Sequence, residues 1–368
     1  MKRISFIMPP IRGGGPRNVY TLQKLITLNN MESQIISPYC DYNNTLPSDV
    51  KEFKCPKGFI SKINKKISRF DRVSYYNFPM FWLKNYIFNP FSMRKYDDTD
   101  CYISTAWQTV YSGKIISERN NRPLLYFVQA YETSFGKNKL YKKLAENTYK
   151  MKIPMFTQSR WIKEYFKDKF SEYVEWIGLG IDHNRFFQNG FKKNSQVFTI
   201  ARPEFDKGFD IFVEAMNIIW NKRKDLKILI AGSSNSLTGA NIKFKYEFLD
   251  WVQDDNTLSK LYSESIFVNT GRSEAIPMPP LEAMACGSSV VISDIPGARE
   301  YTLNNKNCLV CKTDSPEDFA DKIEILLDDH ELREKLGESA IKTSMNYDWK
   351  FVIQRFYHFL DKNEVCPK

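Results

Sequence analysis

The stretch Ser273-Glu274-Ala275-Ile276-Pro277-Met278-Pro279-Pro280-Leu281-Glu282-Ala283-Met284-Ala285-Cys286-Gly287 predicts a turn from a strand into a short helix. The apolar residues 265–270 just before it have the composition of a buried strand. Pro279 and Pro280 suit the first positions of a helix, where a missing N–H group costs nothing. This places Glu274 in the strand-to-helix loop and Glu282 within the first turn of the helix.

These two carboxylates have seven residues between them, and both are expected near the helix N-terminus. The backbone N–H groups and the dipole at that end of a helix favour a bound anion. A phosphate there, with hydrogen-bond acceptors on either side, is the environment that a nucleotide-sugar needs. The plainer alternative is a solvated Glu274 and a Glu282 placed only for the helix dipole.

A pair of cations follows another predicted strand, at residues 196–201. Arg202 and Lys207 are five residues apart in the loop that leads into the next helix, and Lys207 falls near the N-terminus of that helix. A cation there is unfavourable with the helix dipole unless an anion lies between them. The pattern therefore indicates an anion site, with two solvated surface cations as the alternative.

The carboxylate motif resembles the E-x7-E motif of retaining glycosyltransferases with the GT-B fold, those of family 4 in particular. The resemblance implies that Glu274 binds hydroxyls of the donor sugar and that Glu282 binds the ribose hydroxyls of the nucleotide. It also implies that the backbone amides of Ala275 and Ile276 approach the diphosphate and the transferred sugar. Leu281 completes the donor-binding segment.

Two further motifs match the same family. Arg202 and Lys207 resemble its diphosphate-binding pair, which neutralises the leaving group. Gly14 and Gly15 follow the first predicted strand, and glycines there let backbone N–H groups approach a phosphate. They resemble the family's glycine loop, which closes over the donor from the opposite domain. Arg12 beside them could contact phosphate or an acidic acceptor.

Residues 126–132 depart from the family pattern. Many members carry a histidine in this stretch, and these seven residues contain none. The Gln/Tyr/Glu sequence at this place is similar to that of bacterial rhamnosyltransferase-type members, which implies a 6-deoxy sugar in the donor. Gln129 and Glu132 become candidates for contact with the sugar or the acceptor. Glu132 is either the acceptor base or a helix-capping carboxylate.

The 368 residues favour two domains of ordinary size. Short apolar runs alternate with helical patterns in both halves, which predicts an α/β chain with parallel sheets covered by helices. Glycines at 178 and 180 interrupt the pattern and mark the change of domain. The resemblance implies the GT-B architecture, two Rossmann-like doubly wound domains facing a central cleft. We expect residues 1–178 to form the acceptor domain, residues 179–346 to form the nucleotide-sugar domain, and a last helix at about 347–368 to pack back on the first.

No cofactor and no metal site are expected beyond the nucleotide-diphosphate sugar itself, and activity should need no divalent cation. Asp98-Thr99-Asp100 spells the DxD of metal-dependent GT-A transferases, but it precedes an apolar strand and so lies at the wrong end of the sheet. Cys308 and Cys311 form a CxxC pair without a second pair or nearby histidines.

The net charge of +10 arises in the first half, where residues 1–182 hold 29 Lys and Arg against 16 Asp and Glu. Residues 51–95 alone hold 11 basic and two acidic residues, interleaved with aromatics. Such a composition favours peripheral binding to an anionic membrane surface, with a solvated basic face as the alternative. It would also suit nucleic acid, but no nucleic-acid partner is expected. No window reaches the length of a transmembrane helix, so we expect a cytoplasmic protein on the inner face of the membrane.

Together these features predict a retaining, metal-independent glycosyltransferase for a hexose or deoxyhexose. Its acceptor would be a glycan or a lipid-linked glycan in surface polysaccharide synthesis. One alternative is a catalytically silent GT-B protein that binds nucleotide as a partner, and another is a different GT-B enzyme, such as a phosphorylase or an epimerase. The sequence leaves open the nucleotide base, the sugar, the linkage and the oligomeric state.

Overall fold

The computed structural model describes residues 3–9, 14–29, 31–37, 53–54, 83–93, 98–135, 138–188, 196–252 and 254–365. By its contacts the chain forms two compact units, one of Met1–Gly178 with Val352–Lys368 and one of Leu179–Phe351. Each unit is built on its own parallel sheet flanked by helices. This confirms the predicted α/β fold with two doubly wound domains.

The sheet of the first unit has seven strands in the order β3-β2-β1-β4-β5-β6-β7. Its strands are β1 (Arg3–Ile7), β2 (Glu32–Ile36), β3 (Phe53–Lys54), β4 (Cys101–Ser104), β5 (Leu124–Phe127), β6 (Met155–Thr157) and β7 (Val174–Trp176). All neighbouring pairs are parallel. Strands β4 and β5 are buried along their whole length, as expected of a parallel sheet covered on both faces.

The helices described in this unit alternate with its strands, as the apolar pattern predicted, and the connection from β2 to β3 lies outside the described residues. These helices are α1 (Gly14–Leu28), α2 (Asn89–Met93, preceded by a π-helical turn at Leu83–Phe88), α3 (Trp107–Asn120), α4 (Lys139–Tyr149) and α5 (Arg160–Phe170). Polar side chains start two of them: Asn138 accepts a hydrogen bond from the Leu140 N–H, and Ser159 accepts one from the Ile162 N–H. Such capping satisfies N–H groups that have no partner inside the helix.

The sheet of the second unit has six strands in the order β10-β9-β8-β11-β12-β13. Its strands are β8 (Gln196–Ala201), β9 (Lys227–Gly232), β10 (Glu247–Leu249), β11 (Ile266–Asn269), β12 (Ser289–Ser293) and β13 (Leu309–Cys311). Its helices are α6 (Phe209–Lys222), α7 (Asp255–Glu264), α8 (Met278–Ala285), α9 (Pro316–Asp328) and α10 (His330–Ser344). The strand order reverses between β8 and β11, and ligands in doubly wound sheets bind beside such a reversal.

The last helix, α11 (Trp349–Lys362), completes the first unit from the far end of the chain. Phe356 and Phe359 are buried and place their rings 5.4 and 5.1 Å from the ring of Phe156 on β6. Lys362 forms an ion pair of 3.1 Å with Glu175 on β7. The aromatic face of this helix is therefore part of the hydrophobic core of the first unit.

The chain returns to the first unit at Val352, about five residues later than expected from the sequence. The preceding residues are held by the second unit, because the Ile181 N–H donates to the Tyr347 carbonyl over 2.6 Å. The ring of Trp349 also packs directly on Gly180, where an added Cβ would lie 2.3 Å from the indole. The first turn of α11 thus belongs to the second unit.

Candidate active site

The carboxyl ends of β8 and β11 border an open pocket. These strands are neighbours at the centre of the second sheet, and the loops that leave them carry the predicted charged residues. The pocket is lined by Thr199, Ile200, Arg202, Lys207, Phe209, Val268, Asn269, Thr270, Glu274 and Pro279. It therefore brings together the three residues predicted to be catalytic, Arg202, Lys207 and Glu274.

Lys207 and Glu274 form an ion pair at the wall of this pocket, with 2.5 Å between Lys207 Nζ and Glu274 Oε2. Their side chains are 26% and 10% exposed, so the pair is largely shielded from water. The amide of Asn269 lies 3.5 Å from the other carboxylate oxygen. Glu274 thus offsets the unfavourable position of a cation just before the N-terminus of α6.

Gly208 allows the two charged loops to touch. Lys207 ends a 3-10 turn at Phe205–Lys207, and Gly208 follows it in the left-handed region, with φ of 64°. A Cβ at this position would lie 2.0 Å from the carbonyl oxygen of Thr270, while the Thr270 hydroxyl donates to the Gly208 carbonyl over 2.7 Å. The sequence signal for this contact is the glycine directly after the lysine.

Arg202 is half-buried and points its guanidinium over the ring of Trp251, 5.7 Å from the centroid. Trp251 follows β10 and is 50% exposed, which is unusual for so large an apolar side chain. We did not single out this tryptophan from the sequence, because nothing local links residue 251 to residue 202. The contact leaves the donors of Arg202 available to an anion in the pocket.

Glu282 lies in the second turn of α8, and the prediction of the first turn was wrong. The helix begins at Met278, with Pro277 as its N-cap, so Glu282 is its fifth residue. Its side chain is buried, with 5% exposure, and accepts a hydrogen bond of 3.2 Å from the Tyr262 hydroxyl. Its predicted contact with ribose is not tested by this geometry and stays a prediction.

The loop that contains Ala275 and Ile276 is held from behind by the segment after β12. Gly297 approaches so closely that a Cβ there would lie 2.2 Å from the Glu274 carbonyl oxygen. The hydroxyl of the buried Tyr301 donates to the Pro277 carbonyl over 2.6 Å. Burial raises the pKa of Tyr301 well above its usual value, and the negative charge of Glu274 raises it further. The Pro-Gly pair at 296–297 indicates a turn in the sequence but does not indicate which loop that turn contacts.

Of the first-unit candidates, Gly14 and Gly15 form the start of α1, whereas Arg12 lies outside the described residues. Leu281, in the second unit, is fully buried in the core beneath α8. Gln129 follows β5, and its amide donates to the Thr105 carbonyl over 2.9 Å. Its carbonyl oxygen is buried and has no hydrogen-bond partner among the residues that the structure describes.

Glu132 is a buried carboxylate, 8% exposed, that caps a helix. Its Oε2 accepts a hydrogen bond of 2.9 Å from the Trp107 N–H, the first of α3, and a second from the Tyr126 hydroxyl. Such first-turn N–H groups have no partner inside the helix. Burial raises the pKa of Glu132 to about 7, against the lowering effect of these hydrogen bonds. The capping interpretation therefore has a direct contact, while the acceptor role stays a prediction.

The DxD sequence at 98–100 and the CxxC pair at 308 and 311, which resemble metal sites, make other contacts. Arg3 at the start of β1 pairs with Asp98 over 2.6 Å, and its backbone N–H donates to Asp100 over 3.0 Å. Cys308 and Cys311 are buried free thiols, and burial raises the pKa of Cys308 to about 12. Within the described ranges no cluster of three or more His, Cys, Asp or Glu side chains could hold a metal ion.

Comparison with known sequences gives a family for the second unit. Residues 181–343 match the family described as Glycosyl transferases group 1. The N,N'-diacetylbacillosaminyl-diphospho-undecaprenol alpha-1,3-N-acetylgalactosaminyltransferase of Campylobacter jejuni is 30% identical over 207 residues, which are 53% of this chain and 51% of that protein. The chain thus spans about half the length of this curated relative.

Solved structures extend the likeness to nearly the whole chain. Sucrose-phosphate synthase from Thermosynechococcus elongatus superimposes with a TM-score of 0.80 at 13% identity, covering 98% of this chain and 99% of that one. Anabaena HepE in complex with UDP and glucose gives a TM-score of 0.79 at 15% identity, covering 98% and 100%. At such low identity these matches establish the fold alone.

The buried Glu132 predicts a pH dependence of stability. The folded protein holds this proton up to about pH 7, whereas an unfolded chain releases it near pH 4.3, so stability should fall as pH rises between these values. Glu132→Gln removes the ionisation and should reduce this loss, by about 3 kcal/mol at most. Urea unfolding at pH 5 and pH 7.5 measures it. Glu118→Gln, at an exposed position of α3, is the control, and equal pH profiles for wild type and Glu132→Gln would contradict the prediction.

Proposed function

We propose that this chain is a retaining glycosyltransferase, because residues 181–343 match the glycosyl transferases group 1 family and the GT-B fold match covers 98% of the chain. Its donor is a nucleotide-diphosphate sugar, and its acceptor is a hydroxyl of a glycan. The observation that carries the proposal is the gathering of Arg202, Lys207 and Glu274 in one pocket at the carboxyl ends of β8 and β11.

The proposed chemistry requires charge to be stabilised on a leaving diphosphate. The bond between the anomeric carbon and the β-phosphate oxygen breaks, and its electron pair stays on the diphosphate. The acceptor oxygen bonds to the same face of that carbon and releases its proton to the diphosphate. Arg202 and Lys207 supply a fixed positive field in a partly dry pocket, where such charges stabilise a transition state most strongly. This role of the two side chains requires no divalent cation.

Glu274 has two tasks in this proposal. Its carboxylate binds hydroxyls of the donor sugar, and it also neutralises Lys207 over 2.5 Å when no phosphate does so. A bound diphosphate therefore competes with Glu274 for the same ammonium group. Glu282, a buried residue of α8, would meet the ribose. The fold match to HepE, whose structure contains UDP and glucose, supports a nucleotide-sugar donor in general.

The proposed acceptor class is supported by the relative in Campylobacter jejuni, whose name specifies a sugar linked through diphosphate to undecaprenol. We infer a glycan or lipid-linked glycan acceptor, as in the synthesis of surface polysaccharides. A hexose or a 6-deoxyhexose is the proposed transferred group. A mass-spectrometric product assay separates this activity from a phosphorylase or an epimerase, and a silent nucleotide-binding protein would give no product.

A lipid-linked acceptor also supports the proposed attachment to the inner face of the membrane. The segment 51–95, with its 11 basic residues, lies largely outside the described residues. None of the helices that the structure describes is both long and apolar enough to cross a bilayer. The proposal therefore depends on charge and aromatic composition, which favour reversible binding to anionic headgroups.

The diphosphate site predicts the effect of removing either cation. Lys207→Ala and Arg202→Ala should each lower kcat/KM by roughly 10²-fold or more, because each removes a charge that meets the leaving group. The assay is run with EDTA, since no divalent cation is proposed. Lys227→Ala, at the amino end of β9, removes an exposed cation and should have no effect. Activity above about a third of wild type in both site variants would rule out the assignment.

Calorimetry should distinguish the roles of Glu274 and Glu282. Glu274→Gln frees Lys207 from its ion pair, so a bare nucleoside diphosphate should bind as tightly as to wild type or up to about tenfold tighter, while transfer is impaired. Glu282→Gln should weaken the same binding, because its proposed partner is ribose. Glu247→Gln, at the exposed start of β10, is the charge-matched control. The opposite pattern would show that the two roles are exchanged or wrong.

Membrane binding is measured on phosphatidylcholine vesicles with and without phosphatidylglycerol. Changing Lys62, Lys65, Lys66 and Arg69 to Glu should release the protein from the anionic vesicles, because each basic residue near such a surface contributes about 1 kcal/mol. Nucleotide binding should be unchanged. The control changes four exposed lysines on or just after α4: Lys139, Lys142, Lys143 and Lys150. Equal partitioning on both vesicle types, or on neither, would leave only a solvated basic face.

A further inference from the structure

Arg272 lies in the loop between β11 and α8, two residues before Glu274, yet it does not line the pocket. Its side chain is 13% exposed and its guanidinium forms a two-pronged pair with Asp210, with Nη1–Oδ1 of 2.8 Å and Nη2–Oδ2 of 2.6 Å. Its Nε donates to Asp314 over 2.5 Å. Arg272 therefore joins the start of α6 and the segment after β13 to the loop that carries Glu274.

The Arg272 side chain also binds the turn that carries Lys207. Arg272 Nη1 donates to the Phe205 carbonyl over 2.8 Å, and its guanidinium stacks on the Phe205 ring at 4.0 Å from the centroid. The backbone N–H groups of Arg272 and Ser273 both point to the Asp206 carbonyl, over 2.8 and 3.4 Å. Lys207 is thus bounded on its amino side by contacts to Arg272 and on its carboxyl side by the contact between Gly208 and Thr270.

The hydrogen-bond count excludes a direct role for Arg272 as a phosphate ligand. Four of the five N–H groups of a guanidinium are occupied by Asp210, Asp314 and the Phe205 carbonyl. The two carboxylates also neutralise its charge, and the guanidinium lowers the pKa of Asp210. The remaining role of this side chain is to hold its partners in place. A planar guanidinium sets both the distance and the direction of its hydrogen bonds, whereas an ammonium group supplies mainly a charge.

We propose that Arg272 is a positioning residue that sets the place of Lys207 relative to Glu274 by tying their two loops together. This inference rests on the proposed function, in which Lys207 meets the leaving diphosphate and Glu274 meets the sugar. A displacement of about 1 Å between such groups is enough to lower a rate by two orders of magnitude. Arg272 acts on the reaction only through the residues that it holds.

The test is a double-mutant cycle between Arg272→Lys and Lys207→Ala. Arg272→Lys keeps the charge and loses the fork, so kcat should fall about 10-fold or more while the donor KM changes by less than about 3-fold. In the Lys207→Ala background the same change should lower kcat/KM by less than about 3-fold, because the residue that it positions is gone. Asp210→Asn, which removes the other half of the fork, should reproduce the loss of kcat.

Arg223→Lys is the matched control, since Arg223 pairs with Asp328 at the opposite end of α6, and it should leave kcat unchanged. Melting temperatures verify that each variant is folded. Equal losses for Arg272→Lys in both backgrounds, or an unchanged kcat in Arg272→Lys and Asp210→Asn, would overturn the positioning role.

The cycle is repeated with a readout that needs no turnover, the calorimetric Kd of whichever of UDP, GDP, ADP and dTDP raises the melting temperature most. If no donor supports transfer, the proposed function has failed, but a loss of this affinity in Arg272→Lys that disappears in the Lys207→Ala background still supports the positioning role, because a bare diphosphate carries the leaving-group charge that the intact donor lacks. If Lys207→Ala weakens binding and Arg272→Lys weakens it equally in both backgrounds, the positioning role fails alone.

Discussion

The charged pocket depends on the close approach of two backbones, those of Gly208 and Thr270. Strands β8 and β11 are paired in register, with Phe267 opposite Phe198, so the loops that leave them start side by side. They stay together only because position 208 has no Cβ to meet the Thr270 carbonyl oxygen at 2.0 Å. That contact brings Lys207 within 2.5 Å of Glu274, and at such a distance in a partly dry site the attraction is much stronger than in water.

The sequence predicted the parts of this arrangement that are local. Alternating apolar runs placed most of the strands, though not β3 or β13, and the position of Arg202, Lys207 and Glu274 just after strand ends placed all three at one edge of a sheet. What it could not predict are the long-range supports, such as Trp251 under Arg202 or Gly297 behind Glu274, because no periodicity connects residues so far apart. The start of α8 was also misplaced, since Met278 and Pro279 both suit the first turn of a helix and only the observed cap at Pro277 decides between them.

Buried carboxylates in both units are held by tyrosine hydroxyls. Glu132 in the first unit contacts Tyr126, and Glu282 in the second contacts Tyr262 over 3.2 Å. A buried polar group without a hydrogen-bond partner would be costly, so these hydroxyls help to keep the two acids in their cores. Glu132 also accepts from the Trp107 N–H at the start of α3, so its carboxyl group satisfies a helix N–H inside a core of aromatic rings.

The first unit is discontinuous in sequence, because α11 supplies Phe356 and Phe359 to a core that begins at β1. A ribosome synthesising this chain releases the whole of the second unit before the last helix of the first. Domains generally fold as they emerge, with the N-terminal one first. Here the second unit is complete once Phe351 has been synthesised, whereas the first unit still lacks the α11 rings that pack on Phe156, so its core cannot be completed before the second unit has emerged.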